Sequence, residues 1–494
     1  MIFLEGAADL LVNSSVTQAI IAIAILCIAF LIGSITDLHM GILVLSTLAL
    51  VGPIMYGDKI STLQAGWNTG LMFTLIGVTY VFALANNNGT VDWIVAMGLK
   101  MVGGKANLFP FVMFLLAAVL TAVGCATPAA CAILMPVALA FNRINNINPI
   151  PMAQAVIQGC SAGSLSPMGI YGIIITGVVN GQPTLEGKFN HMLMWGAGFV
   201  IYVLTIVAIW VLYKGPGPTV AEVEAAGKDE SVDLEGSADS LVDEEFGDFS
   251  GGSKLDTNIQ LTGERAATLG GLLLMATVTI IAAVVKIDIT TVVEGVEKVT
   301  ATKLSDFIDI SWTSLLIGAV LTLIFPKAAK GAVMQIAWPT LLLVCGIVTY
   351  ISMLEKHGVV KWLGTLAAGA GSPLFTCVII FFIAAVVSAY ASTTGLFPIL
   401  IPISLPFIVG IMDKDGVVTE QPVLSATMLL TGLAVCAAIV DCSPYSTNGA
   451  LGVANAAHQS DYVYKGLFLT SWVTIIGSPI VAWLLFILPP WGRV

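Results

Sequence analysis

A chain of 494 residues with 57% apolar and only 10% charged side chains is too apolar for a soluble protein. Its formal charge of -11 is local, because residues 214–263 contain twelve Asp or Glu and three Lys. The chain has no basic cluster, which argues against a nucleic-acid partner. Several apolar runs are long enough to cross a bilayer, so we predict a protein embedded in lipid.

The first half, residues 1–213, is predicted to form a series of membrane segments. A first hairpin is expected at about 108–141, followed by a broken helix at about 152–180 that is interrupted at 164–169. The other predicted helices cover residues 17–35, about 39–56, about 66–86 and 190–213.

Residues 214–263 form an acidic segment that is poor in aromatic residues and rich in Ser and Gly. Such a composition buries too little apolar surface to fold, so we predict a disordered linker. We place this linker in the cytoplasm, together with Arg143 and the loop that carries Lys327 and Lys330. Lys and Arg are few and evenly spread along the chain, so the positive-inside rule supports this orientation only weakly.

The second half, residues 264–494, repeats the order of the first. A second hairpin is expected at about 373–410, and a broken helix at 423–457 is interrupted at 441–449. The other predicted helices cover about 264–286, 308–325, 335–354 and 464–488.

Local matches support this duplication. Setting Pro136 against Pro402 places Thr127 on Thr393 at the two hairpin tips. The other matches pair Gly77–Leu84 with Ile347–Leu354, Ser166-Pro167 with Ser443-Pro444, and Gly172 with Gly449. Five crossings and a hairpin in each half would invert the second copy. We predict an all-α polytopic membrane protein of two inverted repeats of five transmembrane helices, each with a re-entrant hairpin and a broken helix.

The breaks share a chemistry. Thr127, Ser166 and Ser443 each precede a proline, the arrangement of an N-cap residue followed by proline at the first helical position. At the fourth break, 392–394 offer hydroxyl caps without the proline. Helices that start at these four breaks would present their positive ends to a common site, which suits an anion. The alternative is that these dipeptides are simple kinks, as in many membrane helices.

These tips and Ser-Pro breaks resemble the ion transporter superfamily, notably the divalent anion/sodium symporters, and more closely the MatC-type dicarboxylate (malonate) carriers. The symporters carry Ser-Asn-Thr ten residues before a helix proline, where this chain has 392–394 in one copy and 126–128 in the other. Thr therefore stands in place of Asn in both copies.

The resemblance implies cation-coupled transport of a small di- or tricarboxylate such as malonate or succinate, by an elevator type of alternating access. It also implies a homodimer in the inner or plasma membrane, with Na+ or H+ as coupling ion, no other cofactor and no catalytic residues. Sodium is expected near Thr127 and Thr393. The expected substrate-binding residues are Thr127, Ser166, Ser392, Thr393, Thr394, Ser443, Thr447 and Asn448. The expected coupling residues are Asp441, Thr127, Ser164, Thr393 and Cys442.

Asp441 is a lone acid in an apolar segment, which is typical of an ion or proton pathway. Its alternative role is an N-cap or a polar bridge between helices. We expect Tyr80 and Tyr350 to be packing or membrane-interface aromatics rather than ligands. Residues 355–357 and His191 are expected to lie near the surface. The eight cysteines are expected to be small buried packing residues rather than zinc ligands.

Three other functions remain open. An intramembrane hydrolase needs a nucleophile with a base, yet no His lies near Ser166 or Ser443 in sequence. A passive channel also uses broken helices, although an inverted repeat is more typical of alternating access. The third is a sodium/proton antiporter or monocarboxylate carrier of the same superfamily.

Deleting residues 222–252 should leave substrate uptake into vesicles unchanged, because this acidic segment lies between the two repeats and is poor in apolar side chains that could pack. The measurement is uptake normalised to the amount of inserted protein. Loss of uptake by a normally inserted deletion variant would show that the linker takes part in transport.

Overall fold

The computed structural model describes residues 14–36, 38–101, 108–145, 147–182, 185, 187–215, 260–293, 296–304, 308–359, 362, 373–390, 393–409, 424–456 and 459–493. The expected linker lies outside these residues except at its ends, and so does Ser392 at the second hairpin tip.

The described part of the first half is helical. Its helices are α1 (Ser14–Ile35), α2 (Met40–Tyr56), α3 (Ile60–Ala65), α4 (Thr69–Asn87), α5 (Thr90–Met101), α6 (Phe109–Ala122), α7 (Thr127–Asn145), α8 (Pro149–Ser164), α9 (Ile170–Asn180) and α10 (His191–Leu212).

The second half adds one pair of strands to a further set of helices. These elements are α11 (Gly263–Val284), β1 (Lys286–Val293), β2 (Val296–Lys303), α12 (Ile310–Ile324), α13 (Pro326–Ala329), α14 (Trp338–Lys356), α15 (Pro373–Ser388), α16 (Thr393–Val409), α17 (Ala426–Ile439), α18 (Thr447–Ala454) and α19 (Ser460–Ala482). Single helical turns of other types cover Ala332–Gln335, Val440–Cys442, Trp483–Ile487 and Pro490–Gly492.

The expectation of an all-α chain missed the antiparallel hairpin of β1 and β2. Its register pairs Lys286 with Lys303 and Val293 with Val296. Residues 287–302 are rich in Ile, Val and Thr, whose branched side chains fit an extended backbone better than a helix. The charged residues among them also explain why the predicted helix at 264–286 does not continue.

Side-chain caps fix the starts of several helices. Asn68, Asn148 and Asn190 each accept a hydrogen bond from a backbone N–H in the first turn of α4, α8 and α10. Thr262 and Asp309 do the same for α11 and α12. Each cap satisfies an N–H group that would otherwise lack an intrahelical partner.

Five helical segments in the described part of the chain are long and apolar enough to cross a membrane. They are Thr69–Asn87, His191–Leu212, Trp338–Lys356, Ala426–Ala454 and Ser460–Ile487. By contrast α6 has 14 residues, and at 1.5 Å per residue it is about 21 Å long, against roughly 30 Å of hydrocarbon. Helix α6 turns back into α7, and α15 likewise turns back into α16.

The two halves pack against each other reciprocally. By the matched segments, α2 is the counterpart of α12, and α4 is the counterpart of α14. Helix α2 packs on α14, and α4 packs on α12. In the same way α7 packs on α18 and α9 on α16. In each case the counterparts of two packed helices also pack on each other. A two-fold relation between the halves produces this reciprocal pattern.

Tyrosines and one ion-paired acid join the halves away from the breaks. The hydroxyl of Tyr80 lies 2.7 Å from Thr322 Oγ1, and that of Tyr350 donates to the Ala22 carbonyl at 2.9 Å. Tyr350 is wholly buried. Both tyrosines therefore have the structural role expected of them.

Asp58, in the loop after α2, accepts hydrogen bonds from Lys356 Nζ at 2.6 Å and His357 Nε2 at 2.8 Å at the end of α14. Burial raises the pKa of Asp58, but the hydrogen bonds and charges of Lys356 and His357 lower it by more. The pKa of Asp58 is therefore below its ordinary value. Glu355 accepts from Gln182 at 2.9 Å. The end of α14 is thus fixed to the first half.

The two breaks have matching backbone geometry. A Cβ atom added to Gly172 would lie 1.9 Å from the carbonyl oxygen of Ser166, and one added to Gly449 would lie 1.9 Å from that of Ser443. Real Cβ atoms do not approach backbone oxygen so closely. Only glycine lets each helix restart directly against the turn that precedes it.

Gly449→Ala should therefore lower the melting temperature of the purified protein in detergent, by a destabilisation of about 1–3 kcal/mol. The matched control is Gly196→Ala in α10, where an added Cβ meets nothing within 4 Å and the better helix propensity of alanine favours the folded state. Equal melting temperatures for both variants would contradict the tight turn.

Candidate functional site

Both hairpin tips and both helix breaks meet at one buried carboxylate. Asp441 lies in the second break, between α17 and α18, and is only 4% exposed. Its Oδ1 accepts a hydrogen bond from Thr393 Oγ1 at 2.6 Å, and its Oδ2 accepts one from the Tyr171 hydroxyl at 2.7 Å. Ser161 Oγ lies 3.5 Å from Oδ2. The three donors belong to α16, α9 and α8.

The network extends beyond these donors to the first hairpin. Thr127 Oγ1, at the start of α7, lies 3.4 Å from the Tyr171 hydroxyl. Ser388 Oγ, at the end of α15, lies 2.7 Å from Thr393 Oγ1. The hydroxyl groups of Tyr171 and Thr393 already donate their hydrogen atoms to Asp441. Thr127 and Ser388 must therefore be the donors in these outer contacts. We call these six residues the Asp441 cluster: Thr127, Ser161, Tyr171, Ser388, Thr393 and Asp441.

No cation balances this carboxylate among the described residues. Within them, the ion pairs join Asp58 to Lys356 and His357, far along the chain from the cluster. Among the described residues, the side chains that donate to Asp441 all do so through hydroxyl groups. A buried charge held in this way is costly, which makes the cluster a candidate functional site rather than ordinary packing.

The serines that precede proline have local structural roles, which corrects one expectation. Ser166 and Ser443 were expected to cap helices that start at the next residue, but α9 starts at Ile170 and α18 at Thr447. The carbonyl of each serine instead accepts from the N–H three residues later, at 3.0 Å and 2.9 Å. Proline at the second position is typical of such a turn.

The side chains of these serines are engaged within the breaks. Ser166 Oγ donates to the Ala122 carbonyl at 2.7 Å and accepts from the Gly169 N–H at 2.8 Å. Ser443 Oγ accepts from the Tyr445 N–H at 3.3 Å. Ser446, not Ser443, caps α18 through the Gly449 N–H.

The remaining expected site residues are only partly brought together. Ser164 Oγ accepts from the Tyr171 N–H at 3.2 Å, so it orients Tyr171. Cys442 is buried, and its Sγ lies 3.9 Å from Thr474 Oγ1. Thr394 is partly buried in the first turn of α16, and Thr447 is exposed. Asn448 is buried, with no hydrogen-bond partner for Oδ1 among the described residues.

The structure adds three residues that the sequence patterns did not select: Ser161, Tyr171 and Ser388. Tyr171 directly precedes Gly172, which the repeat pairs with Gly449, so its counterpart is Asn448. That pairing was the one available signal for Tyr171. Ser161 lies on a face of α8 that is buried throughout, and nothing in its spacing distinguishes it.

A cavity of about 1730 Å³ borders the cluster elements. Its walls include Pro167 of the first break and Pro402 of α16, with polar groups such as Asn68 and Asp309. None of the six residues of the Asp441 cluster lines this cavity, so it lies beside the break and α16 rather than at the cluster itself.

His191 also lines this cavity and differs from expectation. It starts α10, as predicted, but it is partly buried rather than at the surface. Its Nε2 lies 2.9 Å from the Leu165 carbonyl, which accepts, and its Nδ1 lies 2.6 Å from Thr176 Oγ1. The ring joins α10 to the first break and to α9. Both ring nitrogens are thereby engaged, and Ser166 Oγ is bonded elsewhere.

The cysteines agree with expectation except at one position. All eight are free, and seven are buried, whereas Cys27 is exposed on α1. Cys131 and Cys160 lie close to the cluster, with 3.5 Å between their sulfur atoms.

Broken apolar helices that gather polar groups around one buried acid are typical of membrane transport proteins. Residues 16–164 match the family described as dicarboxylate carrier protein MatC N-terminus. This part of the chain is therefore similar to the N-terminal region of MatC-type dicarboxylate carriers. The matched residues include Thr127 and Ser161 of the Asp441 cluster. No curated protein matched the chain.

Proposed function

We propose that this protein is a secondary active transporter of a small di- or tricarboxylate of the malonate or succinate type, coupled to a cation. The observation that carries the proposal is the Asp441 cluster, which joins both hairpin tips to both helix breaks through hydroxyl groups. The family match supports the substrate class.

The proposed substrate site uses hydroxyls and helix ends instead of Lys or Arg. Helices α7 and α16 begin at Thr127 and Thr393, so the N-terminal ends of two long helices meet at the cluster. Each end carries about half a positive charge, which favours a carboxylate. Thr127, Tyr171 and Thr393 supply hydroxyl donors that fix its orientation.

Charge balance requires a coupling cation. A dianionic substrate beside an ionised Asp441 would place like charges together in a site that excludes water. Binding of Na+ or H+ as a second substrate removes that repulsion. The oxygen atoms of Asp441, Thr393 and Ser388 are hard ligands of the kind that Na+ prefers, whereas H+ would bind to the Asp441 carboxylate alone.

Movement of the substrate across the membrane follows from the repeat. In our proposal the halves are inverted repeats with one re-entrant hairpin entering from each face, in a multi-pass protein of the plasma membrane. The reciprocal packing of α7 on α18 and α9 on α16 supports this arrangement. A mobile unit built from the hairpins and breaks would carry the substrate, in a homodimer of elevator type.

A sodium/proton antiporter or monocarboxylate carrier is the second candidate, because one buried carboxylate with hydroxyl ligands also suits exchange of a monovalent cation. The experiment is uptake of labelled malonate, succinate, citrate and acetate into proteoliposomes, each with an imposed Na+ gradient or pH gradient. Gradient-driven accumulation of malonate or succinate supports the proposal. Accumulation of acetate alone, or Na+/H+ exchange without any carboxylate uptake, would overturn it.

Thr127→Val and Thr393→Val should each weaken dicarboxylate binding while the protein inserts normally. Valine keeps the shape and removes the hydroxyl donor, and loss of a hydrogen bond to a charged group costs about 1.5–3 kcal/mol, or roughly tenfold to a hundredfold in affinity. The measurement is malonate titration of the purified protein at a cation concentration that gives maximal binding.

The matched control is Thr277→Val, whose hydroxyl donates to Leu273 in its own exposed helix turn. It should bind malonate as the unmodified protein does. Unchanged affinity in both tip variants would place the substrate site away from the hairpin tips.

A further inference from the structure

Asp441 already holds the hydroxyl donors that a substrate carboxylate would need. Thr393, at the second tip, donates directly to Oδ1 at 2.6 Å. Tyr171 donates to Oδ2 at 2.7 Å, and it links that oxygen to Thr127 at the first tip. A carboxylate that bridges the two tips is therefore present in the protein itself.

The surroundings of this carboxylate contain thiols and phenols. Lys465 of α19 and His191 of α10 lie on helices packed nearby, but among the described residues neither forms an ion pair with Asp441. The titratable groups that interact with Asp441 are Cys131, Tyr171, Tyr202 and Cys442. All of these are neutral when protonated, so none offers Asp441 a positive charge. The hydroxyl groups and helix N-terminal ends that stabilise the negative charge of Asp441 are the same groups that would stabilise the charge of an incoming anion.

We propose that Asp441 is a built-in anion that occupies one carboxylate position of the substrate site. The inference rests on the proposed function and adds a role for the coupling cation. The substrate and the ionised Asp441 compete for Thr393 and Tyr171, and the cation admits the substrate by neutralising Asp441. Without the cation, the site is closed by its own side chain.

A merely structural Asp441 predicts the opposite sign. If the carboxylate only bridges helices, then Asp441→Asn loses an acceptor for the Tyr171 hydroxyl, and substrate affinity stays the same or falls. If Asp441 competes with the substrate, removing its charge raises substrate affinity. The direction of the change therefore separates the two roles.

The test is equilibrium binding of malonate to purified protein in detergent, with and without Na+ and at two pH values. The variants are Asp441→Asn and Asp441→Ser, because Ser164 is the residue that the first half carries at the matching position. Without Na+ at the higher pH, both variants should bind malonate about tenfold tighter or more, as removal of a like charge a few Å away predicts. Their affinities should no longer depend on the coupling cation.

The matched control is Asp461→Asn, which removes an exposed acidic charge in the first turn of α19. Its malonate affinity and cation dependence should equal those of the unmodified protein. Protonation of malonate itself affects every variant equally, so the difference between variants isolates Asp441.

Wild-type affinity and cation dependence in the Asp441 variants would overturn the inference and leave the proposed function standing. If neither variant folds, the unmodified protein decides: its malonate affinity must rise with Na+ or with falling pH, and independence of both contradicts a built-in anion. A folded, unmodified protein that binds no dicarboxylate under any condition would instead contradict the proposed function.

Discussion

A carboxylate buried in an apolar membrane protein must find donors, and Asp441 finds them on three different helices. Each hydrogen bond to a charged group is worth about 1.5–3 kcal/mol, so the two short bonds from Thr393 and Tyr171 contribute strongly to the positions of α16 and α9. Through Tyr171 the same acid reaches Thr127 at the first hairpin. The relative placement of both hairpins and both breaks thus depends on one charge.

The two helix breaks agree in backbone geometry and differ in chemistry. The glycines at positions 172 and 449 meet their preceding turns at the same distance, and counterpart helices exchange packing partners. Yet the first half has Ser164 where the second has Asp441, and Tyr171 where the second has Asn448. One half therefore supplies the acid and the other supplies the phenol that binds it. In the transport that we propose, a site with a single acid would need a single neutralising event, which is the simplest basis for coupling to one cation.

Much of this arrangement could be read from the sequence. Small hydroxyl residues and prolines interrupt apolar runs at matched places, and this pattern predicted the positions of the hairpins and breaks and selected Thr127, Thr393 and Asp441. Local rules were sufficient there because helix interruption is a local property. Tyr171 was missed because its contact with Asp441 spans 270 positions, and the only signal for it was its place beside Gly172 in the repeat. The Ser-Pro turns were misjudged because a cap and a turn favour the same dipeptide.

The central claim is that the dicarboxylate binds between the two hairpin tips at the Asp441 cluster. An experimental structure of the protein with bound malonate tests it most directly. We expect a malonate carboxylate within hydrogen-bond distance of Thr393 and Tyr171, with Asp441 turned away from one of them or neutralised by a cation. Malonate bound only elsewhere, for example in the cavity beside Asn68 and Asp309, with the Asp441 contacts intact, would contradict it.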